Sequence, residues 1–412
     1  MKESIKKRIE AVRRGEVPEG YRRTRAGIMP LDWQSNLAAK DIFRNHTDKK
    51  HNGEFQVLSA TQDRGIIPRS EVDIDIKYAE ENIGSYKKVE PGDFVISLRS
   101  FQGGIEYSEY EGLVSPAYTV LKPTRPISDN YYRAYFKTPD FISRLNGAVY
   151  GIRDGKQIGF EDFGELAVHY PPLVEQKKIA EILATCDRVI ELKQQLLEEK
   201  QLQKQWLRQR LLTPQQGWRK TTIGQIALVT TGATPDSKHS EYWGGNIRWM
   251  NSGELNLKHV YEVEGRITDT GLRKSGTKLI PVNCVLIGLA GQGKTRGTAA
   301  INHVELCTNQ SIAAIHPGNQ FDSEYLYHYL DSKYLELRKI SSGDGARGGL
   351  NLDLIEGFVI CLPDLETQRK IADMLTVADD EMMLLEQERD EWMKKKKALM
   401  QLLLTGLVRV NA

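Results

Sequence analysis

Apolar residues recur at intervals of three and four positions along two long stretches of the chain. In the first stretch they are Ile179, Ile182, Leu183, Cys186, Val189, Ile190, Leu196 and Leu197, and in the second they are Ile371, Met374, Leu375, Ala378, Met382 and Leu385. Such spacing is typical of a helix that packs along one side against another helix. Prolines precede both stretches, and Pro214 and Gly406 follow them, as expected at helix ends. The pattern predicts two helices of about 40 residues, each roughly 60 Å long.

The rest of the chain has the patterns of mixed α and β structure. Short β-branched and aromatic runs bounded by Gly, Pro and Asp predict strands, and they are EFQVLSA (54–60), DFVISLR (93–99), AYTVLKP (117–123), CVLIGLA (284–290), TAAINHV (298–304) and SIAAIHP (311–317). Aromatic residues and leucines at helical spacing predict one helix over 131–146 and another over 323–341. The short connections favour mostly antiparallel strands.

The chain contains an internal repeat. The segment PPLVEQKKIAEIL (171–183) aligns without a gap with PDLETQRKIADML (363–375), although Glu175 in the first copy corresponds to Thr367 in the second. The preceding segments also correspond, so each half consists of a globular part followed by a long helix. The helices pack either on each other or each on its own globular part. Because a helix of about 40 residues is longer than a domain of about 140 residues is wide, pairing is favoured.

The predicted fold class is therefore α+β. Two globular mixed α/β domains are joined by two long antiparallel helices that form a coiled coil, with an internal pseudo-two-fold repeat. The predicted segments are a basic N-terminal segment (1–29), a first domain (30–170), a central helical region (171–216), a second domain (217–362) and a C-terminal helical region (363–412).

Composition describes an ordinary globular protein of 412 residues, with 40% hydrophobic and 27% charged residues. The four cysteines form no C-x-x-C pair, which argues against disulfides or a zinc site and predicts a reducing, cytoplasmic location. The N-terminus is charged rather than apolar, and no run approaches the roughly 18 apolar residues of a membrane helix. Net charge is only +2, but residues 1–26 and the KKKK run at 394–397 are basic, which suits either a polyanion or a solvated helix face.

The string GLAGQGKT (288–295) fits the phosphate-binding loop pattern of nucleotide-hydrolysing enzymes. Such a loop precedes a helix, whereas the residues after Lys294 and Thr295 have no helical period. The corresponding loop of the first half, LRSFQGGIEYSE (98–109), has Gly104 in place of Lys294. A glycine-rich loop bearing Gln, Lys and Arg can instead approach DNA and contact base edges. Nucleotide binding remains the alternative.

The candidate DNA-binding residues lie on the glycine-rich loop of each half and on the loops that return beside it. For each residue the alternatives are contact with a base, contact with a phosphate, or exposure to solvent alone. The candidates are Arg99, Gln102, Arg153, Lys156 and Gln157 in the first half, and Asn251, Ser252, Gln292, Lys294, Thr295, Arg296, Arg347 and Asn351 in the second. Asn251 and Ser252 are second choices, as are Trp249, Asn309 and Gln310. On the helices, Gln176, Lys178, Gln368 and Lys370 are either partner contacts or solvated, and Trp206 and Trp392 are assigned to core packing.

The order and duplication of these motifs resemble the specificity subunits of type I restriction–modification systems over nearly the whole chain. The carriers are the two helix openings, LLT after each helix, PLDW (30–33), GWRKTTIGQIA (217–227) and GLAGQGKTRG (288–297). The resemblance implies two target-recognition domains, each binding one half of a bipartite asymmetric DNA sequence. It also implies helices that hold the domains apart and dock two methyltransferase (modification) subunits, with restriction subunits joining that core. A coiled-coil scaffold without a DNA role is the other alternative.

Catalysis is expected to lie on partner subunits. The resemblance implies that S-adenosylmethionine, ATP and Mg²⁺ belong to those partners, in a multisubunit restriction endonuclease and adenine DNA methyltransferase. The chain lacks the Asn/Asp-Pro-Pro-aromatic motif of a DNA amino-methyltransferase, and HYPPL (169–173) has its aromatic residue on the wrong side. The eight histidines are scattered, and His316 and His328 are expected to pack or hydrogen-bond, so the sequence predicts no metal site and no catalytic residue.

Overall fold

The structure is a computed structural model of the chain, and it describes residues 3–72, 80–97, 105–148, 158–291, 293–341 and 349–410. The chain forms two compact units, which we call unit 1 (Met1–Leu192 with Glu388–Ala412) and unit 2 (Lys193–Gln387). This division differs from the predicted segments because each unit contains part of both long helices.

Unit 1 is built around a small antiparallel sheet. Its helices are α1 (Glu3–Arg13), α2 (Asp129–Tyr135), α3 (Pro139–Ala148) and α4 (Phe160–Gly164), and its strands are β1 (Tyr21–Thr24), β2 (Gly27–Pro30), β3 (Phe43–His46), β4 (Leu58–Thr61), β5 (Gly65–Pro68), β6 (Lys87–Val89), β7 (Phe94–Ile96), β8 (Ile105–Tyr107), β9 (Gly112–Val114) and β10 (Thr119–Pro123). The main sheet has the order β3-β10-β7-β8, and β1–β2, β4–β5 and β6–β9 form separate two-stranded pairs.

The long helices α5 (Leu173–Leu212) and α11 (Leu365–Leu404) contribute to both units. The other helices of unit 2 are α6 (Ile223–Ile226), α7 (Asp269–Lys274), α8 (Ser323–Ser332), α9 (Tyr334–Ile340) and α10 (Leu352–Glu356). Its strands are β11 (Arg219–Thr222), β12 (Val229–Thr231), β13 (Trp243–Met250), β14 (His259–Val260), β15 (Arg266–Ile267), β16 (Leu279–Ile280), β17 (Val285–Gly288), β18 (Ala299–Asn302), β19 (Leu306–Thr308), β20 (Ile312–Ile315) and β21 (Val359–Leu362).

The repeat extends to the sheets of the two units. The five-stranded sheet of unit 2 has the order β12-β20-β17-β18-β14, and its first four strands correspond in order to β3-β10-β7-β8 of unit 1. Within each of these two sets of four, every neighbouring pair is antiparallel. Unit 2 adds β14 in parallel with β18, and a second sheet of order β15-β13-β19-β16. The predicted α+β fold with an internal repeat is confirmed.

The long helices pair antiparallel within each unit. In unit 1 the start of α5 lies beside the end of α11, where Asp187 forms an ion pair with Lys396. In unit 2 the end of α5 lies beside the start of α11, where Glu381 lies 2.7 Å from Lys200. Buried apolar residues of the pair, such as Leu375, join the cores of the globular parts. The predicted coiled-coil pairing is confirmed, and its apolar seam also serves the two domains.

Each short aromatic helix predicted from the sequence is in fact broken into two. In unit 1 the break lies before Pro139, which begins α3 because proline is tolerated in the first turn but not in a helix interior. In unit 2 the break lies at Lys333, between α8 and α9. The hydroxyl of Ser332 there donates to the carbonyl of Tyr329 at 2.6 Å, a local bond that competes with helix continuation.

Two glutamines at equivalent positions attach the long helices to the globular parts. Gln176 and Gln368 are each almost completely buried. Their side-chain amides donate to the carbonyls of Pro171 and Pro363, and their side-chain oxygens accept from the backbone N–H groups of Ser128 and Asp322. All four distances are 2.9 Å. These glutamines are neither partner contacts nor part of a solvated face, the two predicted alternatives, because both polar groups of each are buried and used inside the chain.

A charged cluster in unit 1 explains why the two helix openings differ. The guanidinium of Arg409 donates to both carboxylate oxygens of Asp32, at 2.8 and 2.7 Å, and to both of Glu175, at 2.8 and 2.9 Å. Glu175 also accepts from the indole N–H of Trp33 at 2.8 Å. The bonds from Arg409 lower the pKa of Asp32. Glu175 therefore fastens the C-terminal tail to α5, a role that Thr367 in the second copy does not have.

The two tryptophans of the long helices differ in exposure. The side chain of Trp206 on α5 is 55% exposed, with the guanidinium of Arg210 5.1 Å from its ring centre, so its assignment to core packing is wrong. Trp392 on α11 is partly buried.

Among the described residues, none of the helices combines the length and apolarity needed to cross a bilayer.

Candidate nucleic-acid interface

The loop that carries the phosphate-loop pattern is the turn of a β-hairpin. Strands β17 and β18 pair antiparallel, and the loop between them begins where Gly288 and Thr298 form a backbone hydrogen bond of 3.0 Å. Gly297 has a φ of 82°, a conformation that favours glycine. The element after the loop is therefore a strand. This excludes the phosphate-loop architecture, in which a helix N-terminus faces the phosphates.

Helix α9 holds this hairpin loop from one side. The guanidinium of Arg338 donates to the carbonyl of Gly293 at 2.7 Å, and the hydroxyl of Tyr334 donates to the carbonyl of Lys294 at 3.1 Å. Tyr334 and Arg338 lie four positions apart, on the same face of the helix. With its backbone carbonyls held in this way, the loop leaves the side chain of Lys294 exposed to solvent. We did not predict Tyr334 and Arg338, whose i, i+4 spacing was the available signal.

The neighbours of Lys294 are less exposed. Thr295 and Arg296 are partly buried, and the carbonyl of Thr295 accepts from the N–H of Thr298 at 3.0 Å. The cation of Lys294 is thus the most accessible charge among the described candidates of this loop. A lysine on a constrained hairpin tip can reach a guanine edge or a phosphate oxygen.

The returning loop lies next to the hairpin. The N–H of Leu350 donates to the carbonyl of Leu289 at 2.9 Å, which brings Asn351 near the base of the loop. The side-chain oxygen of Asn351 caps helix α10 by accepting from the N–H of Leu354 at 2.8 Å. Bidentate pairing with adenine needs that oxygen as an acceptor. The structure therefore corrects the assignment of Asn351, whose first role is to cap a helix.

Asn251 requires the same correction. Its side-chain oxygen accepts from the N–H of Gly253 at 2.8 Å, and its amide donates to the carboxylate of Glu254 at 2.9 Å. Both groups are used to hold the short 3-10 helix Ser252–Leu257, so Asn251 stabilises that turn rather than offering a free amide to DNA. Ser252, next to it, is partly buried.

The other second-choice residues are also engaged within unit 2. The indole N–H of Trp249 donates to the carbonyl of Ala233 at 3.1 Å. The side chain of Asn309 accepts from the N–H of Ser311 at 3.0 Å, and Gln310 accepts from the hydroxyl of Thr234 at 2.7 Å. These contacts organise the loops around the sheet.

Several predicted residues lie outside the described part of the chain. They are Arg99, Gln102, Arg153, Lys156 and Gln157 of the first half and Gln292 and Arg347 of the second. The strands that flank Arg99, Gln102 and Gln292 are described: Ile96 pairs with Ile105, just as Ile287 pairs with Ala299 in unit 2. The segment 98–104 therefore connects the strands of unit 1 that correspond to β17 and β18.

The lysines proposed as partner contacts differ in exposure. Lys178 on α5 is partly buried. Lys370 on α11 is exposed and lies 2.6 Å from Glu366 one turn earlier, and an exposed pair of this kind contributes little to stability. Lys370 therefore remains accessible to a partner, whereas the neighbouring Gln368 does not.

Known proteins share both the sequence pattern and the fold. The family described as type I restriction modification DNA specificity domain matches residues 35–200 and 215–392. The EcoR124I/EcoR124II specificity subunit of Escherichia coli is 26% identical over 240 residues, covering 55% of this chain and 59% of that protein. The MjaVIII specificity subunit of Methanocaldococcus jannaschii is 23% identical over 348 residues, covering 78% and 80%.

Solved structures agree with this result at the level of the fold. A chain from a structural study of complex assembly and conformational transition in the type I R-M system superimposes with a TM-score of 0.58 and 15% identity. The superposition covers 95% of the present chain and all of the other. The two matched segments of the family coincide with the two halves of the repeat.

Proposed function

We propose a detailed function from one premise: the chain belongs to the type I restriction modification DNA specificity family. Its general function is DNA sequence specificity within such a system. The observation that carries the detailed proposal is the double match to the specificity domain, with the same order of four strands in each half. From it we infer that each globular domain reads one half of a bipartite, asymmetric DNA target.

The asymmetry of the proposed target follows from the difference between the two domains. The loop after β17 contains Lys294, whereas the corresponding loop after β7 has Gly104 at that position. A lysine can donate to guanine in the major groove, and glycine offers no side chain. Two domains that share the order of four strands but differ in their loops are suited to reading two different short sequences.

We further propose that the long helices set the spacing between the two halves of the target and dock two modification subunits. The exposed Trp206 and Arg210 on α5 support a docking role, because tryptophan and arginine are enriched in protein interfaces. Restriction subunits would join that core. S-adenosylmethionine, ATP and Mg²⁺ are assigned to these partners, and the chain by itself is non-catalytic in this proposal.

A domain exchange tests the reading of one half-target by each domain. Residues 217–362 would be replaced by the equivalent segment of a relative with a different known target, and methylated sites would be mapped after co-expression with the modification subunit. We expect one half of the target to change while the other half and the spacing remain. As a control, the reciprocal exchange of residues 30–170 should change only the opposite half. A target unchanged in both exchanges would refute the proposal.

A further inference from the structure

Three potential metal ligands from separate elements meet in unit 2. They are His259 on β14, His303 directly after β18, and Glu324 in the first turn of α8. Nδ1 of His259 lies 3.0 Å from Nε2 of His303, and a carboxylate oxygen of Glu324 lies 3.8 Å from the same nitrogen. One ligand atom of each residue lies within 4.8 Å of those of the other two.

The backbone fixes the two histidines next to each other. Strands β14 and β18 pair in parallel, with His259 opposite Ile301, and the N–H of His303 donates to the carbonyl of Val260 at 2.9 Å. The ring of Tyr261 stacks on His303 with centroids 4.3 Å apart, and the ring of Tyr327 meets His259 edge-on at 5.0 Å. The ligand atoms therefore sit between aromatic walls on rigid elements, which is the arrangement that preorganises a metal site.

The cluster does not satisfy its own polar atoms. Nε2 of His259 and Oε2 of Glu324 are both buried and without a hydrogen-bond partner among the described residues. Buried polar atoms are almost always paired, so the unpaired carboxylate oxygen of Glu324 indicates a missing ligand. Nε2 of His259 lies on the other side of its ring from Nδ1, the nitrogen that faces His303. A hydrogen bond between the two facing ring nitrogens requires one of them to carry a proton, and a cation would take the place of that proton.

Local charge also favours a cation. The carboxylates of Asp322, Asp379 and Asp380 lie near that of Glu324. The ammonium of Lys204 is already paired with Asp379. A divalent ion would balance this excess of negative charge.

We propose that His259, His303 and Glu324 bind a divalent transition metal ion of the Zn²⁺ type, which joins strands β14 and β18 to helix α8. Ligand atoms around a tetrahedral zinc ion lie about 3.3 Å apart, given bonds of roughly 2.0–2.1 Å. The separations of 3.0 and 3.8 Å lie on either side of that value, and the ligand atoms of His259 and Glu324 lie within 4.8 Å of each other. Side-chain rotation therefore has to bring the three atoms to one ion. Two imidazoles and one carboxylate leave the fourth position to water. This proposal is independent of the function proposed above.

Metal titration of the purified full-length chain tests the site. After treatment with a chelator and its removal, Zn²⁺ would be titrated against a chromogenic competitor, and Co²⁺ would be added separately to record its visible absorption. We expect one tightly bound Zn²⁺, a tetrahedral Co²⁺ spectrum that Zn²⁺ abolishes, and a rise in the melting temperature on adding Zn²⁺. If the wild-type chain binds no Zn²⁺ and gives no such spectrum, the proposal is overturned whatever the variants do.

Variants identify the ligands. His303→Asn and Glu324→Gln should each weaken Zn²⁺ binding by at least about 100-fold, because loss of second-shell partners alone costs 10–100-fold. The matched control is His239→Asn, since His239 forms an exposed His–carboxylate pair with Glu241 at 2.8 Å and belongs to no cluster of three ligands among the described residues. Glu324→Gln retains the shape of the side chain and guards against loss of folding. Unchanged Zn²⁺ affinity in folded His303→Asn and Glu324→Gln would overturn the assignment.

Discussion

At the scale of single residues, Lys294 distinguishes DNA recognition from nucleotide binding. In the assembled complex, Lys294→Ala should weaken target binding by roughly 5- to 150-fold if the lysine contacts a guanine, since such a contact contributes about 1–3 kcal/mol. If the lysine contacts a phosphate, binding affinity should fall equally for all DNA sequences. The slope of log affinity against log salt concentration should then fall by about one. Fluorescence anisotropy at several salt concentrations measures both quantities.

The control for this prediction is Lys274→Ala, which removes another exposed lysine of unit 2 at the end of α7. It should leave the preference for target over non-target DNA unchanged. If Lys294→Ala had no effect on DNA binding but abolished ATP binding by the isolated chain, the hairpin loop would be a nucleotide site after all.

The buried glutamines give a second prediction at this scale. Gln368→Leu removes the hydrogen bonds to the N–H of Asp322 and the carbonyl of Pro363 and leaves both groups buried without a partner. We expect unit 2 to lose about 2–4 kcal/mol of stability. Lys370→Ala, an exposed change two positions away, should alter stability by less than about 0.5 kcal/mol. Thermal unfolding of the isolated chain measures both variants. If Gln368 were only a partner contact, Gln368→Leu would leave the isolated chain as stable as the wild type.

His328 predicts how unit 2 responds to acid. Burial, followed by the charges of Lys204 and His259, lowers the pKa of His328 to about 3. The unfolded chain, with a histidine pKa of about 6.5, therefore binds a proton between these values that the folded chain does not. Stability contributed by neutral His328 is full above pH 6.5 and is lost as the pH falls toward 3, by up to about 1.4 kcal/mol per pH unit.

The experiment compares His328→Gln with the wild type between pH 7 and 4. The variant should be less stable at pH 7, because His328 is buried and bonded to Thr376 at 3.1 Å, but its stability should fall less steeply with acid. His239→Gln, which changes an exposed histidine, should preserve the wild-type slope. Equal slopes for wild type and His328→Gln would contradict the neutral assignment.

At the scale of elements, burial separates Leu375, which belongs to the predicted apolar seam of α11, from Leu384, which lies outside it. Leu375 is fully buried in the core of unit 2, whereas Leu384 is 56% exposed. Leu375→Ala should cost about 2–5 kcal/mol, and Leu384→Ala far less. Denaturant unfolding of the two variants measures the difference. Equal losses would mean that Leu384 is covered in the isolated chain, contrary to the structure.

The elements show how far periodicity determines structure. Both long helices could be predicted, because the apolar spacing continues over many turns and prolines mark its start; each has 40 residues. The breaks at Pro139 and Lys333 were missed, since aromatic spacing continues across them while a proline or a local hydroxyl bond ends the helix. Six strands, β4, β7, β10, β17, β18 and β20, were predicted because β-branched residues mark buried strands, although their ends depend on the partner strand. The other described strands were not predicted.

At the scale of the whole molecule, contacts between residues that are distant in the sequence could not be predicted from the pattern of apolar and polar positions. The contact of Glu175 with Arg409 joins positions 234 residues apart, and no local motif indicates it. His259, His303 and Glu324 lack metal-ligand spacing in the sequence, because three separate elements bring them together. The repeat and the family could be predicted from the sequence because duplication is visible without knowledge of packing. Packing does not single out the base contacts, since seven of the thirteen candidates lie outside the described ranges and Asn251, Lys294 and Asn351 are exposed.

The last prediction concerns the long helices as a spacer. Inserting one heptad after Leu192 in α5 and another after Gln387 in α11 keeps the apolar seam in phase, because the seam repeats about every seven residues. Seven helical residues add about 10 Å, which equals roughly three base pairs of B-DNA. We therefore expect the modified complex to methylate the same two half-targets with a gap about three base pairs longer.

Mapping methylated sites across a genome measures that gap directly. A two-residue insertion at the same positions is the informative control, because it turns the rest of each helix by about 200° and moves the seam away from its partner. That variant should lose stability and DNA recognition together. If the heptad variant folded and modified DNA with an unchanged gap, the helices would not set the spacing. The distance between half-targets would then have to come from flexibility elsewhere in the chain or from the partner subunits.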